Sequence, residues 1–125
     1  NTPPMFAIQM AAMVFDWITE QGGLAAMAAA GQRKAALVYG AIDRSDGFYQ
    51  APVAVASRSP VNIRFHLVAP EQTEAFITEA AIAGLHHLRG HAHFGGLRAS
   101  LYNAMPEDGA LALASFMTDF ARRYG

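Results

Sequence analysis

Cysteine is absent from the 125-residue chain, which excludes disulfides and thiolate metal sites. Lysine occurs once, as Lys34. Charged residues make up 15% of the chain, well below the roughly 25% of an average soluble protein. The net charge is −1 and no block of like charge occurs, so the basic stripe of a nucleic-acid or acidic-membrane binder is missing. The longest uncharged run, Asn1 to Phe15, is too short and too polar at its start to span a bilayer. It also lacks the basic start of a secretory signal. No G-x-G-x-x-G pattern is present, and no Ser or Thr sits in a nucleophile elbow. Neither nucleic acid nor a membrane is expected as a partner.

What is present is apolar: 53% of the residues are hydrophobic. So few charges on a single domain predict apolar surface left over for another domain or subunit. The start at Asn1 rather than Met reads as a piece of a longer chain.

Thr2-Pro3-Pro4 suits a helix start, with Thr2 as a cap and the prolines in the first turn. Phe6, Met10, Met13, Val14, Trp17 and Ile18 follow at helical spacing, and Gly22-Gly23 ends the run. A second helix is expected over Leu24 to Asp43, with Leu37, Val38, Ala41 and Ile42 as its apolar stripe. Ser45-Asp46-Gly47 is turn chemistry. Val61 to Leu67 alternates strictly and reads as a half-buried strand, with a shorter strand expected around Val53 to Ala56. Pro70 opens a helix that points Phe76, Ile77, Ala80 and Ala81 inward and stops at Gly84. Leu85 to Arg89 is expected to be extended. Leu97 to Tyr102 alternates again, with Leu97, Ala99 and Leu101 on one face and Arg98, Ser100 and Tyr102 on the other. Pro106 starts a last helix with Leu113, Phe116, Met117 and Phe120 inward. Arg122 and Arg123 sit in its final turn, where positive charge suits the helix dipole. The fold class is α+β: one two-layer domain over residues 1–125, with a small, largely antiparallel sheet covered by helices.

Four of the five histidines, His86, His87, His91 and His93, lie within eight residues. The clustering brings zinc to mind. No acid or thiol is close in sequence, and Gly90 and Gly95-Gly96 interrupt the stretch, so no metal is expected; His86 and His87 read as loop histidines. Arg98 follows Gly95-Gly96 on an alternating strand. Glycines there admit a ligand or another backbone, and an arginine on a rigid strand presents a planar fork that matches a carboxylate. An ordinary surface ion pair is the competing reading of Arg98. Lys34, beside Gln32 and Arg33, reads as part of a solvated helix face and not as a Schiff-base lysine. The chain by itself has a binding strand and no nucleophile.

The run Gly90-His91-Ala92-His93-Phe94-Gly95-Gly96-Leu97-Arg98-Ala99-Ser100-Leu101-Tyr102-Asn103-Ala104-Met105-Pro106 resembles the G-H-R-x-x-G-G-x-R-A-S-x-Y-N-A motif of the phosphoserine aminotransferases. Asn1-Thr2-Pro3-Pro4 is similar to that family's N-T-P segment. Trp17 to Gly23, Tyr39 to Asp46, Val61 to Leu67 and Phe116 to Gly125 are similar in the same order. The resemblance covers the whole chain and about the last third of the family's. It implies the C-terminal small domain of a cytoplasmic, homodimeric, pyridoxal 5'-phosphate enzyme. Such enzymes move an amino group from glutamate to 3-phosphohydroxypyruvate, giving O-phosphoserine and 2-oxoglutarate for serine and, in many bacteria, pyridoxine synthesis.

By that resemblance, Arg98 clamps the substrate α-carboxylate and His91 helps hold the substrate phosphate across the dimer interface. Asn1 and Thr2 reach the cofactor phosphate of the neighbouring subunit. The resemblance puts the cofactor lysine on the large domain, before Asn1, so no catalytic residue is assigned here. Where the family has Arg after the Gly-His pair, this chain has Ala92. That leaves two readings: altered phosphate recognition, or a related transaminase with another substrate. A third, from a different class, is a non-catalytic binding or oligomerisation module that keeps the clamp without the catalyst. The 125 residues alone are expected to show no transamination in a coupled assay of 2-oxoglutarate formation; turnover there would place the reactive lysine inside this chain.

Overall fold

The computed structural model describes all 125 residues, in two compact units, Asn1–Ala30 and Gly31–Gly125. The first unit holds α1 (Met5–Glu20) and the start of α2 (Gly23–Asp43). Helix α1 begins later than the Thr2 cap predicts. Pro4 precedes its first residue and no side chain caps it, because a residue followed by proline is kept out of the helical region. Gly22 and Gly23, at φ 97° and 78°, end the helix as expected from glycine's tolerance of this conformation. No α1 residue is buried: Phe6 is 81% exposed and Phe15 65%. Trp17 and Ile18 are half-buried.

The second unit carries the sheet: β1 (Tyr49–Gln50), β2 (Asn62–Leu67) and β3 (Leu97–Ser100), in the order β1-β2-β3, antiparallel throughout. Helices α3 (Thr73–Ile82) and α4 (Glu107–Tyr124) complete it. The alternation read in the sequence is the alternation of burial. Ile63, Phe65 and Leu67 of β2 and Leu97 and Ala99 of β3 are buried. They join one core with Ala35, Val38, Ala41 and Ile42 of α2, Phe76 and Ala80 of α3, and Leu113, Met117 and Phe120 of α4. At its centre, Phe76 meets Tyr49, Phe65, Phe116 and Phe120 edge to face at 5.0–6.0 Å, a geometry that adds about 0.5–1.5 kcal/mol per pair to the burial itself. The opposite face of β2 and β3 carries Asn62, Arg64, His66, Arg98 and Ser100.

Four expectations are corrected. The strand expected at Val53 to Ala56 is absent. Pro52 has no N–H to pair, and Val55–Ser57 form a 3-10 turn instead; the edge strand is Tyr49–Gln50, directly after the Ser45-Asp46-Gly47 turn. Leu85 to Arg89 contributes only a single bridge, Arg89 to Leu97. The ladder of β3 stops at Ser100, short of Tyr102. In α3, Ala81 is exposed and Ile77 half-buried, since ten residues turn only a narrow face onto the sheet.

Tyr49 ties the edge strand to α4: its hydroxyl donates to the Met117 carbonyl at 2.9 Å. Tyr49→Phe is expected to cost about 1 kcal/mol near neutral pH. Burial raises the folded-state pKa of this phenol above its ordinary 10.0, whereas the unfolded chain ionises near that value. The stabilisation is therefore present below pH 10 and lost as pH rises. Urea titrations near neutrality and above pH 10 should show the deficit of the Phe variant shrinking at high pH; a constant deficit contradicts the account.

Candidate functional site

Between Gly90 and Leu97 the chain leaves one bridge and enters β3 through a loop closed on itself. The Gly90 N–H donates to the Gly96 carbonyl at 2.9 Å, and the Phe94 and Gly95 N–H groups both donate to the His91 carbonyl, at 3.0 and 2.8 Å. This closure leaves no room for side chains at two positions. A Cβ on Gly90 would sit 2.1 Å from the Gly95 oxygen, and one on Gly96, at φ +66°, would sit 2.9 Å from the Phe65 oxygen. The glycines of the motif thus let the loop lie on the backbone of β2.

His91 and His93 are both exposed, with ring centroids 5.3 Å apart. The His93 N–H donates to Nδ1 of His91 at 3.2 Å. With Nδ1 accepting, neutral His91 carries its proton on Nε2, the nitrogen free to donate to an anion. His86 and His87 form a separate pair, with centroids 6.3 Å apart. No three His, Asp or Glu side chains converge on a point where a metal ion would bind.

Arg98 is anchored through its backbone, its N–H donating to the Leu88 carbonyl at 2.8 Å. Its side chain is half-buried, and its Nε is buried without a partner. Such an orphan costs about 1–3 kcal/mol unless a ligand satisfies it. No carboxylate of the chain reaches it. Arg33, Arg58, Arg89, Arg122 and Arg123, by contrast, pair with Glu107, Asp43, Glu74, Asp119 and Glu79 at 2.6–3.0 Å. The ordinary ion-pair reading of Arg98 therefore fails within this chain. A cleft of about 360 Å³ flanks β3, lined by His87, Leu88, Arg98, Ser100 and Met105 among others. A larger cleft of about 710 Å³ is lined by Arg44, Asp46, Phe48 and Arg122 and holds none of the candidate residues. The smaller one, with the unpaired guanidinium, is the better candidate site.

Two positions around Arg98 were read differently from the sequence alone. Arg64 stands directly opposite Arg98 in the β2–β3 register, with its guanidinium 4.8 Å from the centre of the Phe94 ring. Alternation already set Arg64 on the polar face; only the register sets it beside Arg98. Lys34, read as solvated, is 3% exposed. Its ammonium donates to the carbonyls of Tyr102 and Met105 at 2.7 and 2.9 Å. Burial pushes its pKa below the usual lysine range, and the Glu107 carboxylate opposes that shift. It pins the loop by which β3 passes into α4, and its place mid-helix gave no sign of that distant partner. Asn1 and Thr2 lie in the first unit, at its exposed start.

With this geometry in view, comparison with known proteins is direct. The family model for class-V aminotransferases matches residues 1–113. The chain belongs to the class-V aminotransferase family. It is 49% identical over all its 125 residues to a phosphoserine aminotransferase of Laribacter hongkongensis, covering 35% of that protein. The solved phosphoserine aminotransferase of Bacillus circulans subsp. alkalophilus superposes on the whole chain with a TM-score of 0.94 at 46% identity, over 35% of its own length. The pyridoxal-phosphate-bound phosphoserine aminotransferase of Trichomonas vaginalis matches 94% of the chain with a TM-score of 0.85 at 39% identity, over 34% of its length. The chain thus spans about a third of the length of these relatives. No helix is long and apolar enough to cross a membrane.

Gly90→Ala is expected to open the loop, because the new Cβ would collide with the Gly95 and Gly96 carbonyls, and to cost about 1–3 kcal/mol, the usual range for overpacking. Urea denaturation and amide exchange at residues 90 and 95 measure this; unchanged stability with unchanged exchange would mean the loop is not closed as described.

Proposed function

We propose that this chain is the C-terminal small domain of a phosphoserine aminotransferase, which moves an amino group between glutamate and 3-phosphohydroxypyruvate. The observation that carries the reading is the Arg98 guanidinium, held on a rigid strand with no acid of its own and with Nε unsatisfied. A substrate α-carboxylate supplies two acceptor oxygens and a negative charge there, in the planar geometry that a guanidinium fork matches. His91, with Nε2 free to donate, faces solvent on the adjoining loop, as a ligand for the substrate phosphate of a facing subunit would.

Asn1 and Thr2 are exposed, and neither side chain is bonded within the chain. An amide and a hydroxyl with free donors fit the phosphate of pyridoxal 5'-phosphate. When bound, that cofactor supplies an electron-accepting ring that stabilises negative charge at the substrate α-carbon. In this reading it is held mainly by a large domain that also provides the reactive lysine. The contribution of the present chain is binding and orientation: Arg98 fixes the carboxylate end of the substrate in its own subunit, and the loop from Gly90 to Gly96 covers the phosphate end of the substrate in the facing one. The exposed apolar side chains of α1 support a chain covered by further protein; a cytoplasmic homodimer is part of the same proposal.

In the full-length enzyme, Arg98→Ala is expected to lower kcat/KM for glutamate and for 2-oxoglutarate by about 2–5 kcal/mol equivalent, as loss of one partner of a desolvated charge pair does. Steady-state kinetics with both substrates test this, and unchanged values would remove the clamp assignment.

A further inference from the structure

Arg64 and Arg98 are a directly opposed cross-strand pair of like charge. Such pairs destabilise an antiparallel sheet, and nothing in the chain neutralises this one: neither guanidinium meets a carboxylate, while five other arginines do. An anion brought by a ligand removes the repulsion. Residues opposed in this way have Cα atoms about 4.5–5.5 Å apart, so the two forks can hold the two ends of one small molecule.

The geometry points to Arg64 as a second anion-binding residue on the strand face beside Arg98, taking the side-chain anion of a doubly anionic α-amino acid, with a phosphomonoester as its preferred class, while Arg98 holds the α-carboxylate. This rests on the functional reading given above. Arg64 is placed for the task by Phe94, whose ring lies 4.8 Å from its guanidinium carbon. Stacking on a ring face leaves the N–H edge of the guanidinium free to donate. Phe94 belongs to the same closed loop as His91 and Ala92, and its ring fixes the Arg64 guanidinium on the face that carries Arg98. The next cross-strand pair, Ser100 and Asn62, is satisfied internally at 2.9 Å, which leaves the two arginines as the charged donors of this face.

The test uses the full-length, cofactor-loaded enzyme, with the dissociation constant of O-phosphoserine measured by calorimetry beside its KM and kcat. Arg64→Gln is expected to raise both the dissociation constant and KM by about 10- to 100-fold, the effect of losing one charged hydrogen-bond donor, with kcat changed much less. Adding Ala92→Arg to Arg64→Gln is expected to recover most of the lost affinity, because it returns a guanidinium to the substrate phosphate from the facing subunit's loop. A merely structural role for Arg64 would not be rescued in that way. Unchanged binding in Arg64→Gln, where Arg98→Ala weakens it, overturns the assignment of Arg64 and leaves the clamp standing. Unchanged binding in Arg98→Ala removes the underlying functional reading instead. Failure of Ala92→Arg to restore binding overturns the claim that Arg64 serves the substrate phosphate. Should Arg64→Gln not fold, Arg64→Lys keeps the charge and loses the fork; a smaller rise in the dissociation constant supports the assignment, and no rise overturns it.

Discussion

Ile63 against Ala99 and Phe65 against Leu97 are the apolar pairs that join β2 to β3, and the candidate site depends on them. Each is buried, so a slip of one residue would carry a whole row of side chains from core to solvent. With the apolar row committed to the helices, the intervening row has no freedom. Asn62 must oppose Ser100, and Arg64 must oppose Arg98. A hydrophobic requirement on one side of the sheet thereby fixes the spacing of two cations on the other. The cost of opposing them is borne by burial of large side chains, each contributing about 1.5–3 kcal/mol.

The segments before and after β3 are held by different means. Before it, the glycine loop is closed by backbone bonds that Gly90 alone leaves room for, and it lies against β2 because Gly96 lacks a side chain. After it, adjacent cations of α2 grip the turn: Lys34 takes the carbonyls of Tyr102 and Met105, and Arg33 takes the Glu107 carboxylate at 3.0 Å. Arg98 stands between these fixed points. Binding costs entropy where side chains and loops must be ordered, and fixing the backbone on both sides leaves only the Arg98 side chain to be ordered. The site is preorganised by groups that touch no ligand.

Much of this was legible in the residues. Helices α2, α3 and α4 and strands β2 and β3 follow from spacing and turn chemistry, because the 3.6 and 2.0 periods are local properties of the backbone. Arg98 stood out as a candidate too, from the glycines before it and from the family motif. The edge strand was misplaced, because Val53 to Ala56 has the composition of a strand while Pro52 denies it the pairing. Lys34 was misread for a more general reason. Helical position says which way a side chain points, and the carbonyls it meets lie 68 and 71 residues away.

The sequence by itself determined the element types, the two-faced character of β2 and β3, and the family. Each of these is encoded in residues close together along the chain. Only the tertiary structure decided that Arg64 faces Arg98, that Arg98 has no acid of its own, and that the single lysine is buried against the loop beyond β3. Strand register, charge pairing and burial are set by packing between segments far apart in sequence, and no local pattern specifies which of them will meet.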